Sequence, residues 1–114
     1  MSKDIIWRNP EGQIHRDGDE PAIIYVNGNQ EWYKKGEIHR DGDLPAIIYS
    51  NGEKAWYKNG NHHRDGDFPA IICSNGDKYW YKNGYKYIPS INTEELFYKE
   101  KYDLLISKVK DIIV

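Results

Sequence analysis

The chain has a single cysteine, Cys73, among its 114 residues. It can therefore form no internal disulfide and cannot assemble a cluster of thiolate ligands for zinc. It has no apolar run near the ~18 residues that a membrane-spanning helix needs. Its first twenty residues carry Asp4, Arg8, Glu11 and Arg16, where a secretory leader would be apolar. Neither sign of charge dominates: sixteen Lys and Arg against eighteen Asp and Glu leave a formal charge of −2. That balance argues against a general polyanion binder and equally against an acidic nucleic-acid mimic. A glycine-rich phosphate loop and a nucleophile elbow are both missing. The expectation is a non-enzymatic, cytoplasmic protein without cofactor or metal. Heavy use of Ile, Lys, Asn and Tyr, all encoded by AT-rich codons, points to a phage, a virus acting in its host's cytoplasm, or a low-GC bacterium.

What the chain has is a repeat. Shifted by 24 residues it aligns on itself as IHRDGDEPAIIYVNGNQEWYKKGE from Ile14, IHRDGDLPAIIYSNGEKAWYKNGN from Ile38 and HHRDGDFPAIICSNGDKYWYKNGY from His62. A fixed period of this size marks an array of one supersecondary unit. The segment 7–13 reads as half of a preceding unit, followed by full units at 14–37, 38–61 and 62–85, all within a single domain 1–114.

Within each unit an apolar run such as Ala46-Ile47-Ile48-Tyr49 is followed by Asn51-Gly52, then Lys54-Ala55-Trp56-Tyr57, then Asn59-Gly60. Asn-Gly between apolar runs is a strong hairpin signal, because both central residues of a type I′ turn need positive φ. The fold class expected is therefore mainly β, a single antiparallel meander of six or seven short strands. Two-residue loops at both Asn-Gly pairs set Tyr49 opposite Lys54, Ile47 opposite Trp56, and Tyr57 opposite His62. Since neighbours on a strand face opposite sides, Trp32, Trp56, Trp80, His39, His63, Tyr25, Tyr49, Lys54 and Lys78 then share one face. The other face collects the second isoleucine of each pair, Ile24, Ile48 and Ile72, with Tyr33, Tyr57 and Tyr81.

That second face needs a cover, and the tail is the candidate. Asn92 followed by Glu95 forms a capping box, and Ile91 with Leu96 forms its hydrophobic staple. Tyr98, Tyr102, Leu105, Val109 and Ile112 then recur at helical spacing. A C-terminal amphipathic helix over 92–114 is expected to pack on this face.

The string WYKNG, two residues, His, an apolar strand and SNGDKYWYKNG resembles the membrane occupation and recognition nexus (MORN) repeat over about residues 7–87. The chain departs from that pattern where His-Arg-Asp-Gly-Asp-x-Pro-Ala replaces the family's His-Gly segment. The resemblance implies an elongated antiparallel sheet that serves as a scaffold or dimerisation module.

His39-Arg40-Asp41 matches the triplet of the kinase catalytic loop, but it occurs three times and nothing else of a kinase fits this length. The structural reading is a turn in which Asp side chains bond nearby backbone N–H groups. A calcium site at the paired aspartates is the alternative, weakened by an adjacent arginine and by a cation's need for six to eight oxygens. His15, His39 and His63 lie two strands apart, roughly 10 Å, too far to share a metal. The row of tryptophans, flanked by polar-tipped aromatics and lysines, has the composition of an interface. The nine residues named above are thus the candidate site, with a protein partner or a second copy as ligand. A nucleotide or nucleic acid stacked on the rings, sequestered by a viral inhibitor, is the alternative.

Overall fold

The computed structural model describes residues 3–89. The helix expected over 92–114 lies outside the described residues. Within them the protein is antiparallel β throughout, with no helix. Eight short strands form the main sheet in the order Ile5–Ile6, Ile23–Ile24, Gln30–Glu31, Ile47–Ile48, Lys54–Ala55, Ile71–Ile72, Lys78–Lys82 and Tyr85–Tyr87. Two small ladders stand apart from it, Tyr33–Lys34 with Glu37–Ile38 and Tyr57–Lys58 with Asn61–His62.

The two Asn-Gly turns of a unit differ. At Asn59-Gly60 the loop is the two-residue type I′ turn expected, with Tyr57 opposite His62 and Lys58 opposite Asn61. Asn59 and Gly60 have φ of 50° and 83°, as that turn requires. At Asn51-Gly52 the loop has three residues. The Gly52 N–H donates to the Tyr49 carbonyl (3.0 Å), the Tyr49 N–H to the Glu53 carbonyl (2.9 Å), and Gly52 sits at φ 94°. This is a type I turn followed by a left-handed glycine, braced by the Asn51 Oδ1, which accepts the Glu53 N–H (2.9 Å).

One extra loop residue shifts the register by one, and a one-residue slip exchanges faces. Ile47 therefore lies opposite Ala55, not Trp56, and Ile48 lies opposite Lys54. Counting by two, Tyr49 and Tyr57 join Ile47 and Ala55 on one side. Tyr25 and Tyr49 thus belong with Tyr33 and Tyr57, across the sheet from the tryptophans, and the expected grouping of nine loses both. It is the first isoleucine of each pair, Ile23 or Ile47, that accompanies the tyrosines.

The strands are also interrupted, because the chain changes partners at tryptophan. The Trp56 N–H donates to the Ala70 carbonyl of the next unit, while the Trp56 carbonyl accepts the N–H of His63. A bulge sits beside it: the Ala46 N–H also reaches the Ala55 carbonyl (2.8 Å), so two residues of one strand address one of the other. The buried apolar residues are Ala22, Ile23, Trp32, Ala46, Ile47, Ala55, Trp56 and Ala70. The core is thus a thin spine along the array, with small alanines admitting the large indoles.

Candidate functional site

The His-Arg-Asp-Gly-Asp-x-Pro-Ala segments and the tryptophans form one network repeated along the array. His39, only 9% exposed, ties the start of its unit to the turn near that unit's end. Its Nδ1 accepts the N–H of Asn59 (3.0 Å), which fixes the proton on Nε2, and that N–H donates to the Asp41 carboxylate (2.7 Å). His15 does the same with Lys35 and Asp17, and His63 with Asn83 and Asp65. The hydrogen bonds from His39 and His63, followed by their charge interaction, hold the Asp41 and Asp65 carboxyls below the usual carboxylate range.

Arginine and tryptophan interlock next to it. The Arg40 guanidinium lies 3.9 Å from the centre of the Trp32 ring, and Arg64 stands equally close over Trp56, a cation–π stack of planar groups. Nη1 of Arg40 donates to the Pro45 carbonyl (3.1 Å), and Nε donates to the Asp19 carboxylate of the preceding unit (2.9 Å). Arg64 repeats this with Pro69 and Asp43. The indole N–H groups of Trp32, Trp56 and Trp80 donate to the carbonyls of Asp19, Asp43 and Asp67. Asp19 and Asp43 take positive φ of 53° and 54° after their glycines, which points each carbonyl at an indole and each carboxylate at an arginine.

Trp32 and Trp56 are each only 6% exposed, so these two candidate site residues are enclosed in the array. Trp80, in the last unit, is half-buried, as is His63, while Lys54 and Lys78 are exposed. Shallow clefts remain between successive loops, one lined by His15, Arg16, Asp17, Trp32, Tyr33, Lys34 and His39 to Asp41. The aspartate turns bind side chains of His and Arg, in place of the backbone N–H bonds expected of them. Among the described residues no group of three or more His, Cys, Asp or Glu is placed to hold a metal ion.

The tyrosine side is more open. Tyr25, Tyr33, Tyr49 and Tyr57 are all half-buried. Glu31 stands in their midst, accepting a hydrogen bond from the Tyr33 hydroxyl (2.9 Å). Burial, and then the Glu31 carboxylate, push the Tyr33 phenol well above its usual range, and burial pushes Tyr57 up to about 12. Tyr25 and Tyr49 are raised by the same causes in the same order, burial and then the charge of Glu31. These phenols are hydrogen-bond donors over any ordinary pH range. At the third unit His62 replaces isoleucine and stacks between Tyr57 and Tyr81, with ring centres 4.0 and 5.0 Å away. Its Nε2 meets the Tyr57 hydroxyl (2.9 Å), its Nδ1 is buried without a partner, and burial lowers its pKa.

Sequence reasoning missed the arginines. Their signal was present: Arg40 and Arg64 follow Trp32 and Trp56 at the same spacing, and Arg16 follows Trp7 one residue further on, whereas Ile88 stands at that place after Trp80. No helix among the described residues is long and apolar enough to cross a membrane. Comparison with models of protein families, with curated proteins and with solved structures finds no match to this chain.

Proposed function

We propose that this chain is a non-enzymatic interaction module of MORN-like repeats that docks a protein through its tyrosine and isoleucine face. One observation carries the reading. The arginine-stacked tryptophans are used up within the array, while Tyr25, Tyr33, Tyr49 and Tyr57 stay half-exposed in a row. Tyrosine joins a rigid apolar body to a polar tip, the combination that dominates binding surfaces. Stacking of a nucleotide base on the tryptophans is the weaker reading, because Arg40 and Arg64 already lie on the ring faces.

The chemistry of the occupant follows from the chain's own tail. The segment 92–114, as an amphipathic helix with the stripe Tyr98, Tyr102, Leu105, Val109 and Ile112, suits a sheet face of this kind. A partner that presents a similar helix exchanges with it.

The test uses a tolerance built into the repeat. Cys73 stands where the other units have Tyr25 and Tyr49, so the array accepts a small residue there. The double variant Tyr25→Ser/Tyr49→Ser is expected to keep the wild-type β-sheet circular dichroism. In affinity capture it should lose the partners that the wild-type chain retains, with little dependence on salt. Unchanged capture by the folded variant refutes the tyrosine face.

A further inference from the structure

Each inner unit of the array is completed by the one before it, and at the Ile5–Ile6 edge that completion is absent among the described residues. Four groups show it. Ile5–Ile6 is the terminal strand of the main sheet, paired among the described residues with Ile23–Ile24 alone. Its counterparts Glu31 and Ala55, by contrast, have a strand on both sides. In those counterparts the carbonyl accepts an alanine N–H, from Ala22 at 2.8 Å and from Ala46 at 2.8 Å; the carbonyl of Ile6 has no strand on that side among the described residues. Ile5 and Ile6 are 51% and 46% exposed, whereas Ala55 is 3% exposed.

The side chains behind the edge tell the same story. Arg16 stacks on Trp7 (3.8 Å) and donates to the Pro21 carbonyl, as its counterparts do. Arg40 and Arg64 each also bind the second aspartate of the preceding loop, and Arg16 has no carboxylate partner among the described residues. Among the described residues the Trp7 indole likewise has no counterpart of the aspartate carbonyl that Trp32, Trp56 and Trp80 find. A cleft opens there, lined by Trp7, Arg8, His15, Arg16 and Asp17 among others.

We infer that this end is an acceptor site for an extended segment of the form Asp-x-Pro-Ala-Ile-Ile, supplied by another polypeptide that bears the same repeat. The inner units specify the fit. The aspartate carboxylate binds Arg16, its carbonyl takes the Trp7 indole N–H, and the alanine N–H bonds the Ile6 carbonyl. The two isoleucines then add a strand beside Ile5–Ile6. Strand addition to an open edge gives affinity through the main chain and selectivity through the alternating side chains. This surface is separate from the tyrosine face, so the two stand or fall independently.

The probe is a capped synthetic peptide of the sequence 38–50, IHRDGDLPAIIYS, titrated into the full chain by calorimetry and by nuclear magnetic resonance. Saturable one-to-one binding is expected, with shifts confined to the amides of 3–8, the Trp7 indole N–H and the Arg16 side chain. Replacing the peptide's Asp43 by Asn should weaken binding on the order of fivefold, the value of an exposed bidentate ion pair. With the Arg16→Ala chain that penalty should vanish, because both changes remove the same contact. A peptide with Asp in place of Ile47 and Ile48 should not bind. No saturation at millimolar peptide, shifts that map elsewhere, or equal binding of the altered peptides would each overturn the site.

Discussion

Replacing His39 by alanine removes the tie between the His-Arg-Asp loop and the Asn59-Gly60 turn of the same unit, and the structure gives its size. The Asn59 N–H loses its acceptor, a neutral hydrogen bond worth about 1 kcal/mol. The imidazole, 9% exposed, takes with it burial worth about 1 kcal/mol. The bond to Asp41 adds less, because that carboxylate is 81% exposed; screening leaves about 0.5 kcal/mol. The sum is about 2.5 kcal/mol, a large part of the stability of a small domain. It should lower the melting temperature by roughly 10–20 °C. Asp41→Ala breaks only the exposed arm and should cost about 0.5 kcal/mol. Urea unfolding of both single variants and the double variant, followed by circular dichroism, measures the difference. The double variant should be no worse than His39→Ala by more than experimental error. If His39→Ala lies within ~0.5 kcal/mol of wild type, a surface-like value, this tie is not what holds the unit together.

Other substitutions probe the same frame. Lys35 holds φ 49° where the later units have Asn59 and Asn83; Lys35→Asn should raise stability by about 0.5–1 kcal/mol, read as a higher urea midpoint. Arg40→Lys loses both the fork on Asp19 and the planar stack on Trp32, and a fall of about 1–2 kcal/mol is expected by thermal melting. For His62, whose folded pKa lies below the unfolded value near 6.5, the unfolded chain binds protons first. Stability therefore falls as pH drops through about 6.5 and levels off below the folded pKa. His62→Ile, which restores the residue found at Ile38 and removes the unpartnered Nδ1, should flatten melting temperature against pH in that window and raise it at the acid end.

Much of this architecture was legible from the 24-residue period and the Asn-Gly pairs, since local turn chemistry sets the hairpins. The register was not. Asn51-Gly52 and Asn59-Gly60 are the same dipeptide, yet Ser50 joins the first loop, while the second stays a two-residue turn. That extra residue, Val26 after Tyr25 and Ser50 after Tyr49, decides which face the two tyrosines occupy. The His-Arg-Asp-Gly-Asp-x-Pro-Ala segment was legible as a turn and no further. Its hydrogen bonds reach about twenty residues away, to the far turn of the same unit through His39 and into the preceding unit through Arg40 and Arg64, and the sequence pattern does not contain those distances. For the same reason the tryptophans looked like an interface: their spacing is visible in the sequence, but the guanidinium groups over them become apparent only when two units stack.

The enclosure of the tryptophans is tested most directly by hydrogen exchange at the four indole N–H groups, followed by nuclear magnetic resonance. With Trp32 and Trp56 bonded to the Asp19 and Asp43 carbonyls beneath stacked arginines, their indole protons should exchange slowly, close to the rate set by global unfolding. The Trp7 proton, with no such carbonyl among the described residues, should exchange fast. Rapid exchange at Trp32 and Trp56, equal to that at Trp7, would contradict the account and return the tryptophan row to solvent as an open surface.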